Sequence, residues 1–146
     1  MCVTSFRRHS SHDCSHSYKS YAPADRSDCC HLATLLADGR PQVNPVWCDY
    51  DGTYVRVNAA ADRQRARNMR RRGFATVFVA DGPYFWMEIR GRVIHSTTEG
   101  AMDHMHSMAK KYTGRDTYTP IRTGEVRVMF TIEPERVVTF GTGATS

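Results

Sequence analysis

Three Asp-Gly turns constrain what this chain can fold into more than any other feature. Asp38-Gly39, Asp51-Gly52 and Asp81-Gly82-Pro83 each separate strand-length runs of apolar, aromatic and β-branched residues. Aspartate followed by glycine supplies the positive-φ geometry of a tight hairpin turn, so each turn predicts an antiparallel pair of strands. HLATLLA, with ordered structure starting near Cys30, reads as a first strand, RPQVNPVWCDY as a second extended run and TYVRVN as a third. The three are expected to meander. Pro41 and Pro45 cannot donate to a ladder, which places them at an edge, at a bulge, or where backbone faces a ligand.

The next runs extend the pattern. FATVFVA reads as a fourth strand, buried on both faces by its composition. In the fifth, YFWMEIRGRVIHS, period-two alternation puts Phe85, Met87, Ile89 and Val93 on one face and Tyr84, Trp86, Glu88, Arg90 and Arg92 on the other. Gly91 marks a bulge or bend. VRVMFTI is a sixth strand and RVVTF a short last one. Short strands with two inserted helices describe a small, mostly antiparallel barrel in one domain, since 146 residues suffice for a real core.

The first helix carries the charge. Asn58 to Arg72 holds six arginines against one acid, Asp62, a balance equal to the +5 of the whole chain. Asp62 is the expected N-cap and Gly73 the residue after the C-terminus. At 3.6 residues per turn Arg63, Arg67, Arg70 and Arg71 share a side, while Ala66 and Met69 form a narrow apolar stripe. A helix start ringed by arginines suits a phosphate or carboxylate; the plainer alternative is a solvated basic face. The second helix is expected from a capping box at Ser96-Thr97-Thr98-Glu99 to about Tyr112. Its stripe is Ala101, Met105, Met108, Ala109 and Tyr112, with His104 and His106 off it and expected in solvent. The loop TGRDTYTPIRTG follows.

No apolar run approaches the roughly 18 residues of a membrane span. Residues 1–29, rich in Ser, His, Arg and Cys, read as an irregular leader without a secretory core, ahead of a domain over residues 30–146, so a cytoplasmic protein is expected. The five cysteines are odd in number and poorly spaced for disulfides, and the nearby histidines lack zinc-site spacing, so thiols and no metal are expected. The sequence pI of about 9.1 allows nucleic acid, but the excess sits in one helix without exposed alternating aromatics, which makes a nucleic-acid module the lesser reading. Nucleophile elbows, zinc-protease motifs and glycine-rich phosphate loops are absent. What remains is an anion site at a strand-to-helix junction beside Trp47, Tyr84, Phe85 and Trp86, which would suit a phosphorylated planar cofactor that carries the chemistry itself.

The order HLATLLADGRPQVNPVW, a strand ending in VN, RxRxRNMRR and then YxxMEIRGRV resembles the pyridoxamine 5'-phosphate oxidase-like split β-barrel family. It is most similar to the branch of F420-dependent enzymes from actinobacteria. The likeness spans about His31 to Phe140. It implies a mainly β split barrel of the FMN-binding type, with six to seven antiparallel strands. It further implies a homodimer with cofactor sites at the subunit interface, and hydride transfer between the deazaflavin F420 and an electron-poor organic substrate. By the same resemblance Pro45, Val46 and Trp47, with Val57, Asn58 and Ala59, line the cofactor ring. Arg63 and Arg65 hold its phosphate, Gln64, Arg67 and Asn68 lie in the same helix, and Tyr84 reaches cofactor or substrate. Arg-Gln-Arg stands where many relatives have Arg-x-Lys, a planar fork in place of a point charge, which keeps FMN as the alternative cofactor. A non-enzymatic cofactor carrier is the alternative of another class.

Overall fold

The computed structural model describes residues 30–141. The expected leader over residues 1–29, with Cys2, Cys14 and Cys29, lies outside the described residues. The elements run β1 (Cys30–Leu35), β2 (Pro41–Val46), β3 (Cys48–Tyr50), β4 (Val55–Ala60), α1 (Gln64–Arg72), β5 (Phe74–Ala80), β6 (Trp86–Thr97), α2 (Ala101–Thr113) and β7 (Arg127–Phe140). They form one seven-stranded antiparallel sheet in the order β2-β1-β5-β6-β7-β4-β3. This is the mainly β split barrel expected, with helices inserted after β4 and β6.

The turns behave as their chemistry dictates. Gly39 and Gly52 take φ of 87° and 104°, and the Asp51 carboxylate accepts the backbone N–H groups of Thr53 and Tyr54 at 2.9 and 2.8 Å. The meander, however, does not form. RPQVNPVWCDY breaks at Trp47 into two strands: β2 pairs with β1 at one end of the sheet and β3 pairs with β4 at the other. Val46 and Cys48 are two Cα steps apart, and two extended residues span at most about 7 Å. The sheet ends are therefore drawn together and the sheet curls. Among the described residues Pro41 and Pro45 do sit on an edge strand, where β2 has β1 as its partner.

The curl overturns a second expectation. Cys30 is the register partner of Val46, so Cys48, two residues on, comes beside it, and the two cysteines form a disulfide with Cα atoms 6.2 Å apart. They are not thiols. Four smaller differences have local causes. β5 buries Ala75, Val77 and Val79, while Thr76, Phe78 and Ala80 on its other face are half-buried, so it is not enclosed on both sides. The sixth and seventh expected strands are the single β7. The capping box does not form, because β6 runs on to Thr97; Gly100 occupies the cap with φ 67° and no side chain caps α2. Arg63, not Asp62, is the N-cap of α1, and the Asp62 carboxylate instead pairs with Arg122 at 2.8 Å. Gly73 closes α1 in the left-handed conformation, as expected.

The core lies inside the curl, where Leu32, Val55, Val57, Val77, Met87, Ile89, Phe130 and Ile132 meet Ala66 and Met69 of α1. Register slips at Gly91 and again between Val93 and His95 let the long β6–β7 pair bend around it. A Cβ at Gly91 would lie 2.6 Å from the Glu133 carbonyl oxygen and from Ile132 Cγ2. No helix among the described residues is long and apolar enough to cross a membrane. Overpacking a closed core costs about 1–3 kcal/mol, so Gly91→Ala is expected to lower the unfolding free energy by that amount, read as a lower urea midpoint at unchanged m value; an unchanged midpoint would show that the strands yield freely at the bulge.

Candidate functional site

β4 positions the site. Val57 and Ala59 turn into the core, 0% and 1% exposed, and between them Asn58 faces α2, buried at 5%. A buried amide needs partners for each of its polar atoms. The Asn58 amide nitrogen donates to the Ala101 carbonyl at 2.8 Å and to His104 Nδ1 at 3.3 Å, and its oxygen accepts Arg127 Nε at 2.8 Å. His104 Nε2 in turn reaches Asp49 Oδ1 at 3.2 Å. Both Asp49 oxygens are held by Arg56, at 2.9 and 2.5 Å. At the other end Arg127 Nη1 donates to Glu125 Oε1 at 3.0 Å, which also accepts the Tyr118 hydroxyl at 3.0 Å. One continuous polar chain thus runs from Arg56 on β4 to Tyr118 in the loop after α2.

This chain passes the wall of a cavity of about 300 Å³. Five residues expected at a site gather there: Pro45, Val46, Trp47, Asn58 and Arg65. Trp47 is fixed by two tyrosines, stacked on Tyr112 at 5.6 Å and 5° and met edge-on by Tyr118 at 6.3 Å. Tyr112 also anchors the strand crossover: its hydroxyl donates to the Cys48 carbonyl at 2.8 Å and accepts the Cys48 N–H at 3.2 Å. Arg65 reaches the cavity from α1. Among the described residues it makes no hydrogen bond or ion pair, and its Nε is buried without a partner. Burial first, then the neighbouring charges of Arg127 and Arg63, push its pKa below the ordinary arginine value. An anion placed here would relieve both effects.

The other expected residues are elsewhere. Val57 and Ala59 belong to the core. Gln64 and Asn68 are anchors: Gln64 donates to Asn68 at 2.8 Å, and Asn68 donates to Thr34 and Gln42 at 3.0 and 3.1 Å, fastening α1 to β1 and β2. Arg67 bonds the Asp62 carbonyl and the Gln64 side chain on the exposed side. Arg63 is exposed at the helix start, and Tyr84, 77% exposed in the β5–β6 turn, does not line the cavity.

The sequence reading missed Met105, Tyr118, Ile121 and Arg127 as lining residues and misplaced His104, which is 7% exposed and not in solvent. A signal for His104 existed. Ala101, Met105, Met108 and Tyr112 leave the i+3 place of the buried stripe vacant, and His104 fills it. His106 is half-buried, and its Nδ1 accepts the Tyr118 N–H at 2.9 Å, which helps seat the loop. For Arg127 and Tyr118 no local pattern stood out, since β7 and the loop meet Asn58 only in three dimensions.

The family's sequence profile, described as pyridoxamine 5'-phosphate oxidase, matches residues 22–140. The chain belongs to the pyridoxamine 5'-phosphate oxidase family. Among solved structures of this fold, one named F420 reductase is 26% identical, with a TM-score of 0.68 over 80% of this chain and 94% of that one. A conserved hypothetical protein of Mycobacterium tuberculosis is 19% identical, with a TM-score of 0.66 over the full length of both. HupZ of Group A Streptococcus is 21% identical, with a TM-score of 0.62 over 88% of this chain and 97% of that one. A comparison with curated proteins gives no match. The fold is thus one shared by flavin- and deazaflavin-type oxidoreductases and by proteins of other kinds.

Asp49 gives this site a pH dependence. Burial alone would raise its pKa, but the hydrogen bonds from His104 and Arg56 outweigh it and hold the carboxyl below the ordinary aspartate range. A carboxyl whose folded pKa is depressed stabilises the fold above its unfolded pKa, and that stabilisation is lost as pH falls through the folded value. Asp49→Asn is therefore expected to lower stability at neutral pH and to flatten the acid limb of the stability curve below about pH 4. An acid limb as steep as that of the unaltered protein would show that Asp49 is not coupled to folding.

Proposed function

We propose that the chain is an F420-dependent reductase that transfers a hydride between F420 and an electron-poor organic substrate. The observation that carries this reading is Arg65: a half-buried cation without a partner among the described residues, near Arg127, in the lining of a cavity shared with Pro45, Val46, Trp47, Met105 and Ile121. A largely apolar cavity with two neighbouring arginines in its wall fits a planar ring with a phosphorylated tail. F420, when bound, supplies the hydride. The protein's part is to bind and orient. Trp47, held by Tyr112 and Tyr118, would present a fixed wall to the ring, and Asn58 and Arg127 are polar residues of the same lining. Arg65 answers the phosphate, with Arg63 within reach of the tail from the exposed start of α1.

The likeness to an F420 reductase at 26% identity supports this cofactor over FMN, and Arg-Gln-Arg in place of Arg-x-Lys keeps FMN as the alternative. The remaining arginines argue against a purely solvated basic face suited to nucleic acid. Arg67, Arg70 and Arg72 donate to the backbone carbonyls of Asp62, Ala61, Leu36 and Ala37. The proposal includes a homodimer. Phe74, Tyr84 and Phe140 are exposed, and the Phe78, Trp86 and Phe140 rings form an apolar cluster across β5, β6 and β7 that a second subunit would cover. Tyr84 could then reach a partner's site. A cytoplasmic location fits a diffusible cofactor and belongs to the same proposal.

Fluorescence titration of the cofactor-free protein with F420, and in parallel with FMN, tests the reading. Micromolar or tighter F420 binding is expected, and Arg65→Ala should weaken it by about 1.5–3 kcal/mol, the scale of a hydrogen bond to a charged group. Tight FMN binding with weak F420 binding would replace the cofactor, and equal affinity in Arg65→Ala would remove the anion assignment.

A further inference from the structure

The polar chain that ends at Arg127 has only one possible direction. Arginine can only donate hydrogen bonds, and an ionised aspartate can only accept them. Arg127 Nε therefore donates to Asn58, which fixes the amide oxygen toward Arg127 and the amide nitrogen toward α2. An Asn58 N–H pointing at His104 Nδ1 requires that nitrogen to be the bare acceptor, so the imidazole proton sits on Nε2 and is donated to Asp49. Every link runs from the guanidinium to the carboxylate. The Arg56 fork on Asp49 closes the far end.

What this chain holds apart is as informative as what it joins. Glu125 Oε1 takes bonds from Arg127 and Tyr118, yet Oε2 of the same carboxylate is buried with no partner among the described residues, and the Glu125 side chain is 1% exposed. A free guanidinium beside such a carboxylate forms two parallel hydrogen bonds with it. Arg127 does not, because its Nε edge is turned to Asn58 and its Nη2 meets the weakly accepting Met105 sulfur at 3.2 Å. Beyond these bonds each of its Nη nitrogens keeps one N–H, and Arg127 is part of the cavity lining.

We propose that His104 is a positioning residue: through Asn58 it helps hold Arg127 to a single bond with Glu125, and so keeps the guanidinium turned beside Arg65, where the anionic ligand would lie. The link to ligand binding rests on the reading given above; the wire itself does not. Asparagine at position 104 can offer its side-chain oxygen where Nδ1 stands, and so still accept from Asn58. Leucine cannot, and leaves one amide N–H unpaired, with the amide nitrogen held on that side by the Ala101 carbonyl alone.

Two measurements on the full chain test this. In the cofactor-free protein, a distinct Arg127 Nε–H resonance in 15N-edited NMR and a His104 ring bare at Nδ1 are expected. His104→Asn should keep the Arg127 signal and His104→Leu should shift it or lose it to exchange, with the sheet resonances unchanged in both. With F420 as the probe, His104→Leu is expected to bind about tenfold more weakly, a difference of one bound charge-assisted contact, and His104→Asn within about twofold of the unaltered protein. An Arg127 resonance indifferent to His104→Leu, or a proton on Nδ1, would overturn the proposal. Equal weakening by both variants would also overturn it, by reducing His104 to packing. If the unaltered protein binds no F420, the functional reading fails and the NMR comparison alone decides the wire.

Discussion

One residue, Trp47, joins the two ends of a seven-stranded sheet, and the rest of the molecule depends on that step. Because β2 and β3 lie at opposite sheet edges yet meet through one residue, the sheet must curl, and its ends must share a neighbourhood. A strand crossover leaves backbone groups without a ladder partner, and a buried orphan of this kind is costly. The Tyr112 hydroxyl meets the N–H and C=O of Cys48, Lys111 adds a second donor to that carbonyl at 3.2 Å, and the Cys30–Cys48 disulfide fastens the edges covalently. α2 is thereby docked where its His104 reaches Asn58. The cavity is the space that remains beside the crossover.

Electrostatics then divides the arginines by task. Those that bond carbonyls, Arg67, Arg70 and Arg72, hold α1 and its neighbouring turns together. Arg56 and Arg127 terminate a buried polar chain with a carboxylate at each end. Arg65 combines partial burial, a buried nitrogen with no partner among the described residues and like-charged neighbours, and unlike Arg72 it bonds no carbonyl there. Such an arrangement is unfavourable in an isolated protein and favourable once an anion is present, which is the physical signature of a binding group as opposed to a scaffold group.

Most of the fold was legible because it is local. Asp-Gly turns, alternation in β6, the apolar stripe of α2 and Gly73 at the end of α1 all act within a few residues. What could not be read depends on contacts far apart in the chain. The hairpins formed as their turns require, but nothing local says that β2 and β3 part company at Trp47, and so the disulfide was hidden too. His104 is expected in solvent because it lies off the five-residue apolar stripe, although it fills the i+3 place after Ala101; a buried partner for it, Asn58, lies 46 residues away. The capping box at Ser96 lost to continued pairing of β6 with β7, where ladder hydrogen bonds outweigh one cap. At the site, Trp47, Asn58 and Arg65 were placed by resemblance, while Arg127 and Tyr118 emerge only from the folded arrangement.

The central claim is that the cavity beside Trp47 receives an anionic planar cofactor between Arg65 and Arg127. Chemical-shift mapping with added F420 tests it most directly, following the Trp47 indole N–H, the Asn58 amide and the side-chain Nε–H groups of Arg65 and Arg127. The account predicts that these signals move together and saturate at one ligand per chain. Shifts confined to Tyr84 or to the outer face of α1, with the Trp47 and Arg65 signals unmoved, would contradict it.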